Sequence, residues 1–135
     1  MKNLKSFLIV GLIAFGLYAF TSSQGGEEWE IPAKYKKMTN PTDPEDEEGL
    51  EIGEELYMQH CKSCHGKEGL GDGPKAKDQN GDLGDFSSEK FQKQSDGVVF
   101  YKSYIGRDDM PNFEKKITDE EEMWFVVNFV RTLGE

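Results

Sequence analysis

Apolar residues near the end of the chain recur at a spacing that predicts an α-helix. Thr118 and Glu121 have the arrangement of a capping box at its start, and Gly134 can end the helix after Leu133. The apolar positions between these ends are Met123, Trp124, Phe125, Val126, Val127, Phe129, Val130 and Leu133. Because they cover more than one face, the helix is predicted to pack on two sides.

A second helix is predicted directly ahead of two cysteines. Its positions at helical spacing are Leu50, Gly53, Leu56, Tyr57 and His60. Gly53 lets another backbone approach, so we expect this helix to cover one side of the last helix. The short chain offers no obvious protein segment for the other side. We therefore expect a bound apolar body there, and an aromatic macrocycle would fit.

The first 23 residues predict a targeting segment outside the fold. Lys2 and Lys5 give a positive start, 14 apolar residues follow from Phe7 to Phe20, and small residues come next, as in an export signal peptide. The alternative is a retained membrane anchor, although a spanning helix needs about 20 apolar residues. The prediction divides the chain into a signal at 1–23, an arm at 24–47 and a domain at 48–135.

The arm at residues 24–47 is interrupted by glycines and prolines, so it is predicted to be extended. It also carries the apolar residues Trp29, Ile31, Tyr35 and Met38. Two alternatives remain open: the arm wraps onto the domain or a partner, or it is a mostly disordered spacer.

Composition narrows the class of protein. The chain has 135 residues, with 26 acidic against 16 basic side chains and a formal net charge of −10. One small domain of this charge is not a nucleic-acid binder, because phosphate recognition needs a basic surplus. Cleavage after Ser23 would make the net charge −12. Eight carboxylates lie between Asp43 and Glu55 without a basic residue, and a solvated helix face explains them as readily as a docking surface.

The two cysteines cannot build a disulfide scaffold, but their spacing has a specific meaning. They stand in Cys61-Lys62-Ser63-Cys64-His65, where the two thiols can form thioethers to the two vinyl groups of haem. His65 is then placed to bind the iron from the proximal side. A thioredoxin-like pair would need a βαβ setting, and a zinc site would need two more ligands where only His60 remains.

With this motif the sequence resembles the class I c-type cytochromes over about residues 48–134. The matching parts are the helix with Gly53 and Tyr57 before the haem motif, the turn Gly71-Asp72-Gly73-Pro74, the segment from Gly106 to Pro111, and the helix from Trp124 to Arg131. The resemblance implies an all-α, cytochrome c-like fold. Its N- and C-terminal helices would cross around one covalent haem c, with Tyr57, Trp124, Val126 and Phe129 at the crossing.

The sixth iron ligand is predicted to be Met110. The other candidates are less suitable. Met38 and Met58 precede or lie within the helix ahead of the cysteines, and Met123 lies among core positions. His60 adjoins Cys61, on the side of the haem that the cysteines attach. The resemblance places the family's axial methionine at Met110-Pro111, in a charged, irregular stretch where a core role would not explain a thioether.

Supporting roles around the haem also follow from the resemblance. It implies that the Pro74 carbonyl accepts a hydrogen bond from the free ring nitrogen of His65. It also implies that Arg107 pairs with a haem propionate, a role that Tyr101 or Tyr104 could share. Phe86 covers the haem edge or packs in the core.

Together these features predict an exported, monomeric, non-enzymatic carrier of single electrons between redox proteins, in the periplasm or at the outer face of the cytoplasmic membrane. Its partners are expected to have basic docking surfaces. Membrane contact would come only through a retained N-terminus or a membrane complex. The alternatives are a sensor or peroxidase-like enzyme with a labile sixth ligand, and the cytochrome subunit of a membrane oxidase or dehydrogenase.

Overall fold

The computed structural model describes residues 28–134, so the predicted signal segment lies outside the described residues. The helices are α1 (Ala33–Lys36), α2 (Glu47–His60), α3 (Lys62–His65), α4 (Glu89–Gln92), α5 (Asp96–Tyr104) and α6 (Glu120–Thr132), with a 3₁₀ turn at Ala76–Asp78. Every regular element in this range is helical, which confirms the predicted all-α class. Across the same range, no helix combines the length and apolar character needed to cross a membrane.

Helix α2 begins where the sequence supplies a cap and ends at the cysteine motif. The Asp46 carboxylate accepts a hydrogen bond from the Gly49 N–H at 3.2 Å, and acidic residues in the first turn complement the helix dipole. At the other end, the Cys61 N–H donates to the Tyr57 carbonyl oxygen at 2.8 Å. The prediction that this helix runs into the haem motif is confirmed.

Helices α2 and α6 cross with their backbones in direct contact. A Cβ atom on Gly53 would lie 2.2 Å from the carbonyl oxygen of Phe125, so only glycine fits at this position. One turn further along α2, the Tyr57 and Phe129 rings meet with their centroids 5.2 Å apart. The predicted role of Gly53 as the point of close approach is confirmed.

The predicted ends of the last helix are each displaced by one residue. Asp119 is the N-cap instead of Thr118, since its backbone is extended and its carboxylate accepts from the Glu121 N–H at 2.9 Å. The helix ends at Thr132, with Leu133 as its C-cap. Asp119, one position after Thr118, therefore takes the capping role, since its carboxylate accepts from a free N–H group of the first turn.

The expectation that no protein segment covers the second side of α6 is wrong, because α5 packs there. The Phe100 and Trp124 rings stack with centroids 4.2 Å apart. Arg131 of α6 also pairs with Asp96 at the start of α5, with 2.7 Å between Nη2 and Oδ1. The sequence did not predict α5, because the helix has only nine residues and its adjacent valines and aromatic residues are also typical of a strand.

The described part of the arm lies against the domain. Tyr35 packs on Tyr101 with ring centroids 4.6 Å apart, and Ile31 is buried. Asn128 of α6, itself buried, donates to the Thr42 hydroxyl at 3.0 Å. A disordered spacer therefore does not describe residues 28–46, and the wrapped alternative does.

Replacing Gly53 by alanine should destabilise the protein through the α2–α6 crossing. The added Cβ would collide with a backbone oxygen that cannot rotate away, so we expect a loss of about 2 kcal/mol or more in the free energy of unfolding. Denaturant unfolding of the haem-loaded protein measures it. The control is Glu54→Ala, on the exposed side of α2, which should change the value by less than about 0.5 kcal/mol. Equal stability of the two variants would contradict the crossing geometry.

Candidate functional site

The cysteine motif occupies a single helical turn immediately after α2. The N–H groups of Cys64 and His65 donate to the Cys61 carbonyl oxygen at 3.1 and 3.0 Å. Residues three and four apart on a helix share a face, so Cys61, Cys64 and His65 are presented together. The two thiols are free and partly buried. The helical turn therefore places the two cysteine side chains and the histidine side chain on one face, as the spacing of the motif predicted.

His65 has one ring nitrogen paired and the other buried without a partner. Its side chain is buried, and Nδ1 lies 3.1 Å from the Leu83 carbonyl oxygen. Nε2 is inaccessible to solvent and has no hydrogen-bond partner. Burial lowers the pKa of His65, and the Leu83 hydrogen bond opposes this only in part. The neutral ring donates from Nδ1, so Nε2 keeps a free lone pair, which fits an axial ligand of haem iron.

The carbonyl group beside His65 Nδ1 belongs to Leu83, so the predicted Pro74 contact is corrected. The Gly73-Pro74 turn packs on the backbone of α3: the Gly73 N–H donates to the Cys64 carbonyl oxygen at 3.1 Å, and the Lys75 N–H to that of Ser63 at 2.8 Å. Leu83 follows His65 by 18 residues, outside any motif. Sequence reasoning missed it because a backbone acceptor requires no particular side chain.

Aromatic and hydroxyl groups support the His65 ring and the residue that follows it. The Phe86 ring lies 4.7 Å from the His65 ring between centroids, and Phe91 stacks behind Phe86 at 4.4 Å. The Tyr57 hydroxyl donates to the Gly66 carbonyl oxygen at 2.7 Å. Burial raises the pKa of Tyr57 far above its usual value, so this donor stays protonated. Phe86 is therefore a partly buried residue that packs against the core and contacts the His65 ring.

The environment of Cys61 differs from that of a redox-active thiol. Burial, and secondarily the neighbouring Cys64, raises the pKa of Cys61 to about 12. Catalytic cysteine pairs have lowered thiol pKa values, because the thiolate is the reacting form. This contrast weighs against thiol–disulfide exchange. Among residues 28–134, no group of three or more histidine, cysteine, aspartate or glutamate side chains is arranged to hold a metal ion.

Met110 lies in a tight turn after α5. The Met110 N–H donates to the Arg107 carbonyl oxygen at 2.8 Å. Gly106 has a positive φ of 70°, and Asp108 has one of 50°, as such a turn requires. The Met110 side chain is partly buried against the core cluster. Met123 is fully buried within that cluster, as predicted, whereas iron ligation by Met110 stays a prediction.

Arg107 contacts the arm. Its Cζ lies 4.4 Å from the centroid of the Trp29 ring, and Nη1 donates to the Glu28 carbonyl oxygen at 3.1 Å. Tyr101 also contacts the arm, whereas Tyr104 is buried in the core. The pairing of Arg107 with a haem propionate stays a prediction.

The sequence matches the family model described as cytochrome c over residues 50–134, more than half of the chain. The protein therefore belongs to the cytochrome c family. Comparison with curated proteins finds no match.

Several solved structures have related folds. A chain of the Kuenenia stuttgartiensis reducing HAO-like protein complex Kustc0457/Kustc0458 is 32% identical, with a TM-score of 0.60 over 70% of this chain and 47% of its own length. This protein thus spans about half of that relative. The KustC0563 c-type cytochrome is 30% identical, with a TM-score of 0.53 over 62% of this chain and 98% of its own.

Cytochrome cL from the marine methylotroph Methylophaga aminisulfidivorans shares the fold. It is 24% identical, with a TM-score of 0.51 over 66% of this chain and 57% of its own. Family membership, with the Cys61, Cys64 and His65 motif, gives the protein one covalently bound haem c.

Removing the Tyr57 hydroxyl should loosen the segment that follows His65. Tyr57→Phe leaves the buried Gly66 carbonyl without its donor, so we expect a loss of about 1–3 kcal/mol in the free energy of unfolding. Chemical denaturation of the haem-loaded protein, followed by haem absorbance, measures this. Tyr101→Phe, at a partly exposed ring, is the control and should cost less than about 0.5 kcal/mol. A Tyr57→Phe cost as small as the control's would mean that this hydrogen bond does not support the site.

Proposed function

We propose that the protein is an exported monohaem cytochrome c that carries single electrons between larger redox proteins. The observation that carries this proposal is the buried, unpartnered Nε2 of His65 directly after the Cys61 and Cys64 pair. A buried polar atom without a partner is costly unless a bound group satisfies it. An iron atom at this position would do so.

In this proposal, Cys61 and Cys64 hold haem by thioethers, and His65 is the proximal ligand. The Leu83 carbonyl fixes the tautomer and plane of the imidazole, and the Phe86 ring restricts its rotation. Because these supports are a backbone carbonyl and a packed ring, the imidazole needs little rearrangement when the iron changes charge. When bound, haem supplies a one-electron iron couple.

Met110 is proposed as the distal ligand. Of the other methionines in the described chain, Met123 is buried in α6 and Met38 packs against Gly97 of α5. Met58 lies on α2 beside the exposed Glu54 and Glu55. Met110 is also partly buried against the core, but it stands in a turn on an irregular segment, where the family resemblance places the axial methionine. A methionine opposite histidine raises the reduction potential compared with a second histidine.

Ligation by both His65 and Met110 would leave no open coordination position for a substrate. Such a site suits electron transfer between proteins and disfavours catalysis, which supports a carrier over an enzyme. The rival sensor or peroxidase-like function would require Met110 to leave the iron readily.

The electron-transfer partner is proposed to have a basic surface. The net charge is −10, and α2 exposes five carboxylates, at Glu47, Glu48, Glu51, Glu54 and Glu55. Complementary charge raises association rates by about 10- to 1,000-fold at low salt. We further propose export to the periplasm or outer membrane face, since the N-terminal segment has the features of a signal peptide and haem c proteins are typically exported.

A second candidate is a cytochrome subunit of a larger oxidoreductase complex. The similarity to a chain of the reducing HAO-like protein complex favours it. Against it, the arm residues Trp29 and Tyr35, which would anchor such a subunit, contact Tyr101 of the same chain. A native gel of extracts from the source cells, stained for haem, distinguishes the two candidates. A free carrier migrates alone as a monomer, whereas a subunit migrates with a large complex.

Replacing both cysteines should abolish covalent haem attachment. Cys61→Ala with Cys64→Ala removes both thiols that add to the vinyl groups, so a denaturing gel stained for haem should lose its signal. Ser63→Ala, between them, is the control and should retain haem. Retention of haem by the double variant would exclude thioether attachment at this motif.

Replacing Met110 should open the iron without releasing haem. Met110→Ala should eliminate the methionine charge-transfer band of the ferric protein and allow the ferrous protein to bind carbon monoxide. The control is Met58→Ala, on α2, which should keep the band and exclude carbon monoxide. An unchanged low-spin spectrum of Met110→Ala would refute the ligation, and carbon monoxide binding by the unaltered protein would favour the sensor or enzyme.

Electron exchange with a basic redox protein should slow as salt rises. We expect the second-order rate to fall at least about tenfold from low to roughly 0.5 M ionic strength, because screening removes the long-range attraction. Glu51→Lys with Glu54→Lys should reduce the low-salt rate more than the charge-matched control, Glu68→Lys with Asp78→Lys. A larger loss in the control would contradict docking on α2, and a rate independent of salt would contradict a basic partner.

A further inference from the structure

The N-terminal arm makes a direct contact with the segment that carries Met110. Trp29 lies against the Arg107 guanidinium, with 4.4 Å between the ring centroid and Cζ. The same guanidinium donates to the Glu28 carbonyl oxygen at 3.1 Å. Tyr101 of α5 meets the Trp29 ring edge-on, with centroids 6.5 Å apart and planes at 84°. The Trp29 ring therefore joins the Met110 segment to a helix of the domain.

Arg107 is coupled to Met110 through a closed turn. The Arg107 carbonyl oxygen accepts from the Met110 N–H at 2.8 Å, and the two residues form an isolated antiparallel bridge. The backbone of Gly106 packs closely against Met110, since a Cβ on Gly106 would lie 2.4 Å from the Met110 carbonyl oxygen. A displacement of the Arg107 backbone would therefore move Met110 as well.

Charge makes the arm contact more important for this segment. Lys102 of α5 also faces the Trp29 ring, with Nζ 5.8 Å from the centroid. Burial lowers the pKa of Lys102, and repulsion from Arg107 lowers it further, whereas Glu28 opposes the shift. Two cations thus lie beside one aromatic ring, which attracts cations placed over its faces. Without the ring, Lys102 and Arg107 would still repel each other, a repulsion that Asp108, 3.6 Å from Arg107 Nε, offsets in part.

We propose that Trp29 is a positioning residue for Met110, and that the arm clamps the distal ligand onto the iron. The inference rests on the proposed ligation by Met110. It gives the arm an intramolecular role, since the clamp sets how readily the thioether leaves and how well the protein excludes other ligands.

A second contact limits the size of the expected effect. The Asp109 carboxylate accepts from both the backbone N–H and the side-chain amide of Asn80, at 2.9 and 3.1 Å. The turn is therefore tied on two sides, by Trp29 at Arg107 and by Asn80 at Asp109. Loss of the arm contact alone should weaken Met110 ligation without abolishing it.

Ligand exchange in the haem-loaded, full-length protein tests the clamp. Imidazole competes with methionine for ferric iron, and its binding is followed by loss of the methionine charge-transfer band. Trp29→Ala should make imidazole bind about three- to tenfold more tightly, because the cation–π contact with Arg107 and the ordering of the Glu28 carbonyl are lost. Trp29→Phe keeps an aromatic face and should stay within about twofold of the unaltered protein.

Two further variants separate positioning from general destabilisation. Tyr35→Leu removes another arm ring, which packs on Phe100 and Tyr101, so it should lower the unfolding free energy yet leave imidazole affinity within about twofold. In an Arg107→Gln background, Trp29→Ala should change the imidazole affinity by less than about a further twofold, since the guanidinium that contacts the ring is already absent. An equal effect of Tyr35→Leu and Trp29→Ala, or full additivity with Arg107→Gln, would overturn the clamp.

The outcomes distinguish this inference from the proposed ligation. If the unaltered ferric protein has the methionine band and Met110→Ala loses it, the ligation holds. An unchanged imidazole affinity in Trp29→Ala then overturns the clamp alone. If the unaltered protein lacks the band, the Met110 ligation fails, and the clamp fails with it.

Discussion

The close crossing of α2 and α6 at Gly53 is the constraint on which the site depends. Since glycine brings the α2 backbone against the Phe125 carbonyl, Tyr57 one turn later is fully buried and packs on Phe129. The Tyr57 hydroxyl then reaches the Gly66 carbonyl, directly after His65. The position of the imidazole is thus linked by one side chain to the packing of two helices. Burial of the imidazole, beside Leu83 and Phe86, lowers its pKa and so favours the neutral ring.

The two sides of the site are supported in different ways. Around His65, the buried imidazole is held by the Leu83 carbonyl and by the Phe86 ring, which Phe91 backs. On the Met110 segment, the ties are outer contacts to the arm and to an exposed asparagine. Buried contacts hold a group more firmly than exposed ones, because water does not compete for them. Under the proposed ligation by Met110, any adjustment of ligand strength should therefore come from its segment.

Helix α5 changes how the core and the haem site are understood. The apolar surplus of α6 had suggested that a cofactor must cover its second side, but Phe100 stacks on Trp124 there and Arg131 pairs with Asp96. The domain therefore has a protein core of its own around α6. Haem chemistry rests instead on the cysteine motif and the unpartnered His65 nitrogen, which are local and independent of that surplus.

The sequence by itself determined the attachment motif, the two crossing helices and the glycine between them, because each depends on residue type and short-range spacing. It located the start of α6 to within one residue, since Thr118 and Asp119 can both cap a helix. Only the tertiary structure decided that Leu83 replaces Pro74 beside His65, that α5 covers α6, and that Trp29 lies on Arg107. None of these three features has a periodic signal in the sequence. They are a carbonyl acceptor, a helix with a strand-like composition and a contact across 78 residues, and each is defined only by the folded chain.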